Sequence, residues 1–455
     1  MRTVLAAAAA SIALAPPPAT EAPRPTILVG PERPLMDQRV NLTVFGLAPN
    51  APVTLTARSR AQDGAMWRSA ATFRANATGA VWPGEQAPSS GSYRGVDGMG
   101  LFWSMTADPK PQSADHRSFA LTDFARPVAT TIEVISGGKV VASRTIERRF
   151  AGPGVRQVQV RDGPVGVLYE PADGAPHPGV LVIGGSDGGF AEPDVAMLLA
   201  SHGFAVLSLA YFGEKGLPAT LEGVPMETFA RAVRWMHRRP EVDPRFVAIY
   251  GVSRGTEPAL YTAATTPGVN AVVARSPSFV LWGGVTAHHL PGKAAWTLNG
   301  KPLPYIANTL YPRFLLEAAG DLIARRQLRQ TRLFAEDLRR FGDTSRVEIP
   351  VENIRGPVML LAGRDDQIWP STLMAGRIMA RLRRHRHPYA DQLLTYDRVG
   401  HPIPYAYLPT PKRDAGLFAI GGTSEGAARA QADAWPRLLA FLTEAATRAG
   451  AAPRP

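Results

Sequence analysis

The chain has 455 residues, 45% of them apolar and 8% aromatic, which suits two or three packed domains and excludes a disordered or fibrous protein. It contains no cysteine, which excludes a disulfide scaffold, a thiolate zinc site and a cysteine nucleophile. The formal net charge of +12 allows attraction to anionic ligands, but the scattered arginines favour a general preference for Arg. Aromatic residues do not interleave with the densest basic run, Arg381 to His387, so we expect no nucleic-acid partner.

The N-terminus is typical of a secretory signal peptide. Arg2 precedes an apolar run from Val4 to Ala15, and small residues and prolines follow it, the three parts expected of such a signal. We therefore predict a signal peptide over residues 1–22 and export, periplasmic or secreted. The alternative is an Ala-rich terminus without this role, which would leave the protein in the cytoplasm. The run is too short to span a bilayer and no other segment is long enough, so we expect no stable membrane insertion.

Residues 25–150 have the pattern of an all-β domain. Apolar and polar residues alternate around Val40 to Val44 and around Val53 to Ala57, the period of half-buried strands. Farther on, the segments TTIEVIS and KVVASRTIERRF flank Gly137 and Gly138, which predicts a hairpin. Short strands separated by turn residues indicate a β-sandwich. No nucleophile motif occurs in this part, so we expect no catalysis from it.

From residue 155 to residue 447 the pattern predicts an α/β domain. Residues 157–160 and 165–169 form strands around a turn at Asp162 and Gly163. Five apolar runs then alternate with helical patterns: Val180 to Ile183, Phe204 to Leu209, Phe246 to Tyr250, Val358 to Ala362 and Leu393 to Tyr396. Continuous apolar strands between helices indicate a parallel sheet covered on both faces. An amphipathic helix over residues 425–447, capped by Thr423 or Ser424, ends the domain.

A serine nucleophile is predicted from the motif G-x-S-x-G, which places a serine on a sharp turn between a strand and a helix. The motif occurs three times, as GGSDG at 184–188, GVSRG at 251–255 and GTSEG at 422–426. Only Ser253 has a buried strand directly before it and a helical pattern directly after it. Ser186 lies on the loop after the first parallel strand, and Ser424 has no downstream histidine or aspartate. Ser253 is therefore the predicted nucleophile.

The partners of the serine follow from the order serine, acid, histidine along the chain. Asp365 and Asp366 come directly after the strand Val358 to Ala362, and spacing favours Asp366 as the acid. The alternative is that one of these two aspartates caps the next helix. His401 follows the last predicted strand and is the expected general base.

The same spacing predicts where an oxyanion would be held. The backbone N–H of Arg254, with one from Ser186 or Asp187, is expected to donate to it. His288 and His289 lie in a loop-rich insertion and are expected to line a pocket or face solvent. The nine histidines lack the spacing of a zinc hydrolase, and the sequence predicts no metal and no cofactor.

Long, ordered segments of the chain resemble the acyl-CoA thioesterase / bile acid-CoA:amino acid N-acyltransferase family. The matching segments are RVNLTVFGLAPNAPVTLTARS, GSYRGVDGMGLFWSM, GGSDGG, LASHGFAVLSLAYFGEKGLPATLEGVPMETFARAVRW, GVSRGTEPAL, WTLNGKPLPY, GRDDQIWPS and GGTSEGAARAQADAWPRLLAFL. The resemblance implies an α/β-hydrolase fold with an N-terminal immunoglobulin-like β-sandwich and acyl-CoA thioesters as substrates. It maps the family's nucleophile, acid and histidine onto Ser253, Asp366 and His401. Members specialised for amino-acid conjugation use cysteine, so the serine favours hydrolysis over N-acyl transfer.

Other functions remain open from the sequence alone. CoA esters are scarce outside the cytoplasm, so an exported protein of this kind could be a carboxylesterase of dienelactone-hydrolase type that acts on a small ester. A protein without catalysis that binds partners through its β-sandwich is a third alternative, which the order of the three site residues argues against. The expected partner in the first two cases is a small-molecule acyl thioester or ester, and the sequence does not predict an oligomeric state.

Overall fold

The computed structural model describes residues 24–108, 119–286, 290–324, 326–401, 404–410 and 417–453. The predicted signal peptide, over residues 1–22, lies outside the described residues. Within these ranges, no helix combines the length and the apolar character needed to cross a bilayer.

The N-terminal part is built almost entirely from antiparallel strands. Its elements are β1 (Thr26–Gly30), β2 (Asn41–Phe45), β3 (Pro52–Arg60), β4 (Met66–Arg74), β5 (Ser90–Gly91), α1 (Gly100–Trp103), β6 (Thr106–Asp108), β7 (Val128–Ser136) and β8 (Lys139–Arg148). One sheet has the order β5-β4-β3-β7-β8 with β6 beside β4, and β1 pairs with β2 in a second sheet. Buried residues alternate along β3, and side chains of both sheets share one hydrophobic core. The predicted β-sandwich and the hairpin of β7 and β8 are confirmed.

The remaining chain alternates strands with helices. Its strands are β9 (Val155–Gln159), β10 (Gly166–Pro171), β11 (His177–Ile183), β12 (Ala205–Leu209), β13 (Val224–Pro225), β14 (Val242–Val252), β15 (Ala271–Arg275), β16 (Gly283–Val285), β17 (Pro291–Ala294), β18 (Trp296–Leu298), β19 (Lys301–Pro302), β20 (Val358–Gly363) and β21 (Gln392–Tyr396). Its helices are α2 (Pro193–Ser201), α3 (Glu227–Met236), α4 (Thr256–Thr265), α5 (Pro312–Ile323), α6 (Thr331–Phe341), α7 (Ser371–Arg384) and α8 (Ser424–Arg448), with 3-10 turns at Ser253–Gly255 and Val351–Asn353. Thr423 is the cap of α8, because its hydroxyl accepts the N–H of Gly426 at 3.0 Å.

The central sheet has eight strands in the order β21-β20-β15-β14-β11-β12-β10-β9. The six strands from β21 to β12 are parallel, and β10 and β9 are antiparallel to their neighbours. Every residue of β11, β12 and β20 is buried, and so are the last seven residues of β14. This burial is expected for a sheet covered on both faces. This is the predicted α/β-hydrolase class. The strand β15, which is not among the five predicted runs, separates β14 from β20.

The two parts of the chain meet at the segment that follows His401. Arg148 at the end of β8 donates from Nη1 to the carbonyl oxygen of Tyr407 at 2.8 Å. The rings of Phe150 and Tyr405 lie edge to face with centroids 5.5 Å apart. Burial lowers the pKa of Arg148 to about 10, so the guanidinium still carries its charge at neutral pH. The β-sandwich thus supports the backbone just beyond the histidine.

Candidate active site

Ser253 lies on a strained turn between β14 and α4. Its φ is +53°, a left-handed conformation that is costly for a residue with a side chain. The glycines on either side permit this turn. A Cβ on Gly251 would lie 2.7 Å from the carbonyl oxygen of Gly255, and one on Gly255 would lie 2.1 Å from the carbonyl oxygen of Gly184. Ser253 therefore sits at the carboxyl edge of the sheet on a turn that these glycines make possible.

We expect Gly255→Ala to lower the free energy of unfolding by about 3 kcal/mol. Gly255 has an ordinary φ of −68°, so the cost comes from collision with fixed backbone atoms. The control is Gly376→Ala in α7, where a Cβ would meet no atom within 4 Å. This substitution should stabilise the helix by about 0.5–1 kcal/mol. Urea unfolding of both variants measures the difference, and equal stability of the two would contradict the prediction.

The three residues singled out in the sequence lie within hydrogen-bond distance of one another. Nε2 of His401 lies 2.8 Å from Oγ of Ser253, and Nδ1 of His401 lies 2.8 Å from Oδ2 of Asp366. Asp366 and His401 are only 6% and 8% exposed. An ionised carboxylate can only accept hydrogen bonds, so Nδ1 carries the proton and Nε2 is left to accept from the serine hydroxyl. The arrangement can move a proton off Ser253.

The neighbouring aspartates have separate partners. Oδ1 of Asp366 accepts the N–H groups of Ile368 at 3.0 Å and Trp369 at 3.2 Å, which fixes the carboxylate while Oδ2 faces the histidine. Asp365 instead accepts the N–H of Gly422 at 2.8 Å. The N-terminus of α7 has no side-chain cap, so the idea that one aspartate caps this helix is wrong.

The loop that follows β11 lies directly against the serine. A Cβ built on Gly185 would be 3.3 Å from Cβ of Ser253, and Ser186 and Asp187 come next in the chain. The far end of this loop is held by the N–H of Gly189, which donates to the carbonyl oxygen of Phe212 at 3.0 Å. The predicted oxyanion donors of this loop and of Arg254 are thus on the two segments that flank Ser253.

A buried ion pair lies behind the turn. Glu257 is fully buried and accepts hydrogen bonds from Nε of Arg254 at 2.5 Å, from the N–H of Trp282 at 2.9 Å and from Nε1 of Trp296 at 2.7 Å. Burial raises the pKa of Glu257, while the charge of Arg254 opposes that rise. The three donors compensate the buried carboxylate. The side chain of Arg254, the residue directly after Ser253, is in turn fixed by its bonds to Glu257 and to the carbonyl oxygen of Trp282.

The insertion between β15 and β20 forms core as well as surface. Trp282 and Trp296 are at most 1% exposed and belong to the hydrophobic core of the α/β part. A cavity of about 290 Å³ lies between α5 and the loop of Asp366. Its lining includes Asp366 but neither Ser253 nor His401. The cavity therefore borders the loop of the acid and not the serine.

His288 and His289, which were expected to line a pocket or face solvent, lie outside the described residues. In the part of the chain that the structure describes, no three His, Cys, Asp or Glu side chains are grouped so that they could hold a metal ion.

The eight-stranded sheet, with a serine on the turn after β14 and a histidine and an aspartate beyond β21 and β20, defines an α/β-hydrolase. Residues 37–162 match the family model for the acyl-CoA thioester hydrolase/BAAT N-terminal region, and residues 224–448 match the model for the BAAT / acyl-CoA thioester hydrolase C terminal region. The chain belongs to the acyl-CoA thioester hydrolase/BAAT family.

Relatives match along most of the chain. Acyl-coenzyme A thioesterase 1 of Rattus norvegicus is 32% identical over 421 residues, which cover 89% of this chain and 93% of that protein. Mitochondrial acyl-coenzyme A thioesterase 2 of Mus musculus is 33% identical over 433 residues, or 92% of this chain and 88% of that protein. The peroxisomal succinyl-coenzyme A thioesterase of Mus musculus is 30% identical over 423 residues, which cover 89% of this chain and 93% of that protein.

Proposed function

We propose that this protein hydrolyses acyl-CoA thioesters to the free acid and CoA through an acyl-serine intermediate on Ser253. The observation that carries the proposal is the chain of two 2.8 Å hydrogen bonds from Ser253 through His401 to Asp366. Family membership and the names of the relatives support the thioester as the bond that is cleaved.

The proposed reaction has two halves. Nε2 of His401 takes the proton of Ser253 as Oγ attacks the thioester carbonyl, and Asp366 stabilises the resulting imidazolium. The N–H of Arg254 and one from Ser186 or Asp187 donate to the oxyanion, each worth about 3 kcal/mol. The tetrahedral intermediate collapses, the C–S bond breaks, and His401 returns the proton so that CoA leaves as a thiol. Water, deprotonated by the same histidine, attacks the acyl carbonyl, the C–Oγ bond to Ser253 breaks, and His401 returns the proton to Oγ as the acid leaves.

The main alternative is an esterase that acts outside the cytoplasm. If residues 1–22 direct export, the mature protein meets few CoA esters, and a small carboxylic ester becomes the better candidate. N-acyl transfer to an amino acid is the other alternative, and the serine in place of cysteine argues against it. All three reactions use the same acyl-serine, so the leaving group and the acceptor distinguish them.

The decisive measurement is release of free CoA from short-, medium- and long-chain acyl-CoA by the mature protein, beside hydrolysis of a 4-nitrophenyl ester. We expect acyl-CoA to be the better substrate by kcat/KM, with a preferred chain length. Adding glycine should not change the product from the free acid to an acyl-glycine. Ester cleavage without release of CoA would reject the thioesterase function and favour the exported esterase, and acyl-glycine formation would favour the transferase.

A further inference from the structure

Tyr211 lies just beyond β12, and its ring is fixed in the core beneath the site. The side chain is 2% exposed. Its ring centroid lies 5.0 Å from that of Phe212, 5.3 Å from that of Phe229 and 5.9 Å from that of Trp296. A ring packed on three sides holds its hydroxyl in one place.

That hydroxyl is directed at the loop that carries the predicted oxyanion donors. It donates toward the carbonyl oxygens of Gly184 at 2.8 Å and Gly185 at 2.7 Å. Burial raises the pKa of Tyr211 well above its usual value, so the phenol keeps its proton and acts as a donor at any pH at which the enzyme works. One side chain therefore fixes two successive peptide groups.

The orientation of these peptides decides where their N–H groups point. Both peptide bonds, Gly184–Gly185 and Gly185–Ser186, are trans, so the N–H of each points opposite to its carbonyl. With both carbonyls turned toward Tyr211, the N–H groups of Gly185 and Ser186 are turned away from it. Gly185 itself lies against Ser253. Among the described residues, neither N–H finds a hydrogen-bond acceptor.

We propose that Tyr211 is a positioning residue that orients the N–H of Ser186, together with that of Gly185, to receive the oxyanion. The proposal rests on the acyl-serine reaction proposed above. It deepens that reaction by naming the side chain, outside the three reacting residues, on which the second oxyanion donor depends. Tyr211 is 2% exposed, and its hydroxyl acts through the backbone of the loop.

The test is Tyr211→Phe, which keeps the packed ring and removes only the hydroxyl. We expect kcat to fall about 10- to 100-fold, less than for complete loss of an oxyanion donor, with KM changed less than about twofold because the ground state is bound as before. The matched control is Tyr250→Phe, since the buried hydroxyl of Tyr250 has no hydrogen-bond partner among the described residues. This control should keep wild-type kcat.

Two ligands separate positioning from a structural role. A trifluoromethyl ketone analogue of acyl-CoA, which forms a tetrahedral adduct with the serine, should lose affinity for Tyr211→Phe by the factor lost in kcat/KM. A non-hydrolysable S-alkyl-CoA thioether should bind as tightly as to the wild type. Equal losses for both ligands, or a wild-type kcat, would overturn the proposal.

A third readout does not depend on acyl-CoA being the substrate. The phosphoryl oxygen of a fluorophosphonate takes the oxyanion position, so its rate of labelling Ser253 should fall in Tyr211→Phe even if only esters are cleaved. Slower labelling with no acyl-CoA turnover by the wild type would keep the role of Tyr211 and reject the thioesterase function. Unchanged labelling of the variant would reject the role of Tyr211 alone. Failure of the wild type to label would reject both.

Discussion

Ser253→Ala is expected to lower kcat for acyl-CoA hydrolysis by about 10⁵- to 10⁶-fold. Without Oγ no acyl-serine can form, and His401 loses the hydroxyl that lies 2.8 Å from its Nε2. A small residual rate should persist, because the oxyanion donors and the substrate-binding surface are unchanged. Release of free CoA under saturating substrate measures the loss.

The control for this variant is Ser424→Ala, which changes the serine of another G-x-S-x-G copy. Ser424 is the first residue of α8, and Thr423 is the cap of that helix, so the fold should be undisturbed. We expect its kcat to stay within about twofold of the wild type, because Ser424 is neither the cap of α8 nor one of the three hydrogen-bonded site residues. A Ser253→Ala protein that still releases CoA at more than a hundredth of the wild-type rate would show that the nucleophile lies elsewhere.

Asp366→Asn is expected to lower kcat by about 10⁴-fold with little change in stability. The amide oxygen can still accept the N–H groups of Ile368 and Trp369, so the loop keeps its shape. The amide nitrogen would then face His401 as a donor, which favours the tautomer protonated at Nε2. A histidine in that tautomer cannot accept the proton of Ser253.

The adjacent Asp365→Asn is the control that tests the choice between the two aspartates. Asp365 accepts the N–H of Gly422 at 2.8 Å, a bond that an asparagine oxygen can also make, so kcat should be close to that of the wild type. Steady-state kinetics of the pair, with thermal unfolding to verify the fold, give the comparison. The opposite result, with Asp365→Asn inactive and Asp366→Asn active, would assign the acid to Asp365.

The parts of the fold that a sequence reveals are those in which local pattern and tertiary environment agree. The strands β11, β14 and β20 each contain a continuous apolar run, and each could be predicted from it. The strand β15, Ala271–Arg275, could not. Its short apolar run ends in arginine, and its pairing with β14 and β20 on either side exists only in the folded chain.

The residues of the candidate site also fall into those that could be predicted from the sequence and those that could not. Ser253, Asp366 and His401 are detectable because each follows a recognisable strand, and strand order fixes where the strand ends meet. Glu257 and Tyr211 are not detectable by spacing. Their importance lies in hydrogen bonds to Arg254 and to the carbonyls of Gly184 and Gly185, and such contacts exist only after the chain has folded.

The contacts between the β-sandwich and the segment beyond His401 bear on whether the α/β-hydrolase half can keep its structure when it is separated from the sandwich. Excision near residue 151 would remove the guanidinium of Arg148 from the carbonyl of Tyr407 and would leave the N–H of Thr410 without the carbonyl of Trp103, 2.9 Å away. The backbone directly after His401, the proposed general base, would then lose its contacts with the sandwich and keep only those within the hydrolase half, such as Tyr405 to Asp194. Exchanging catalytic halves between relatives therefore requires transplanting the sandwich as well, and the two halves are constrained to diverge together.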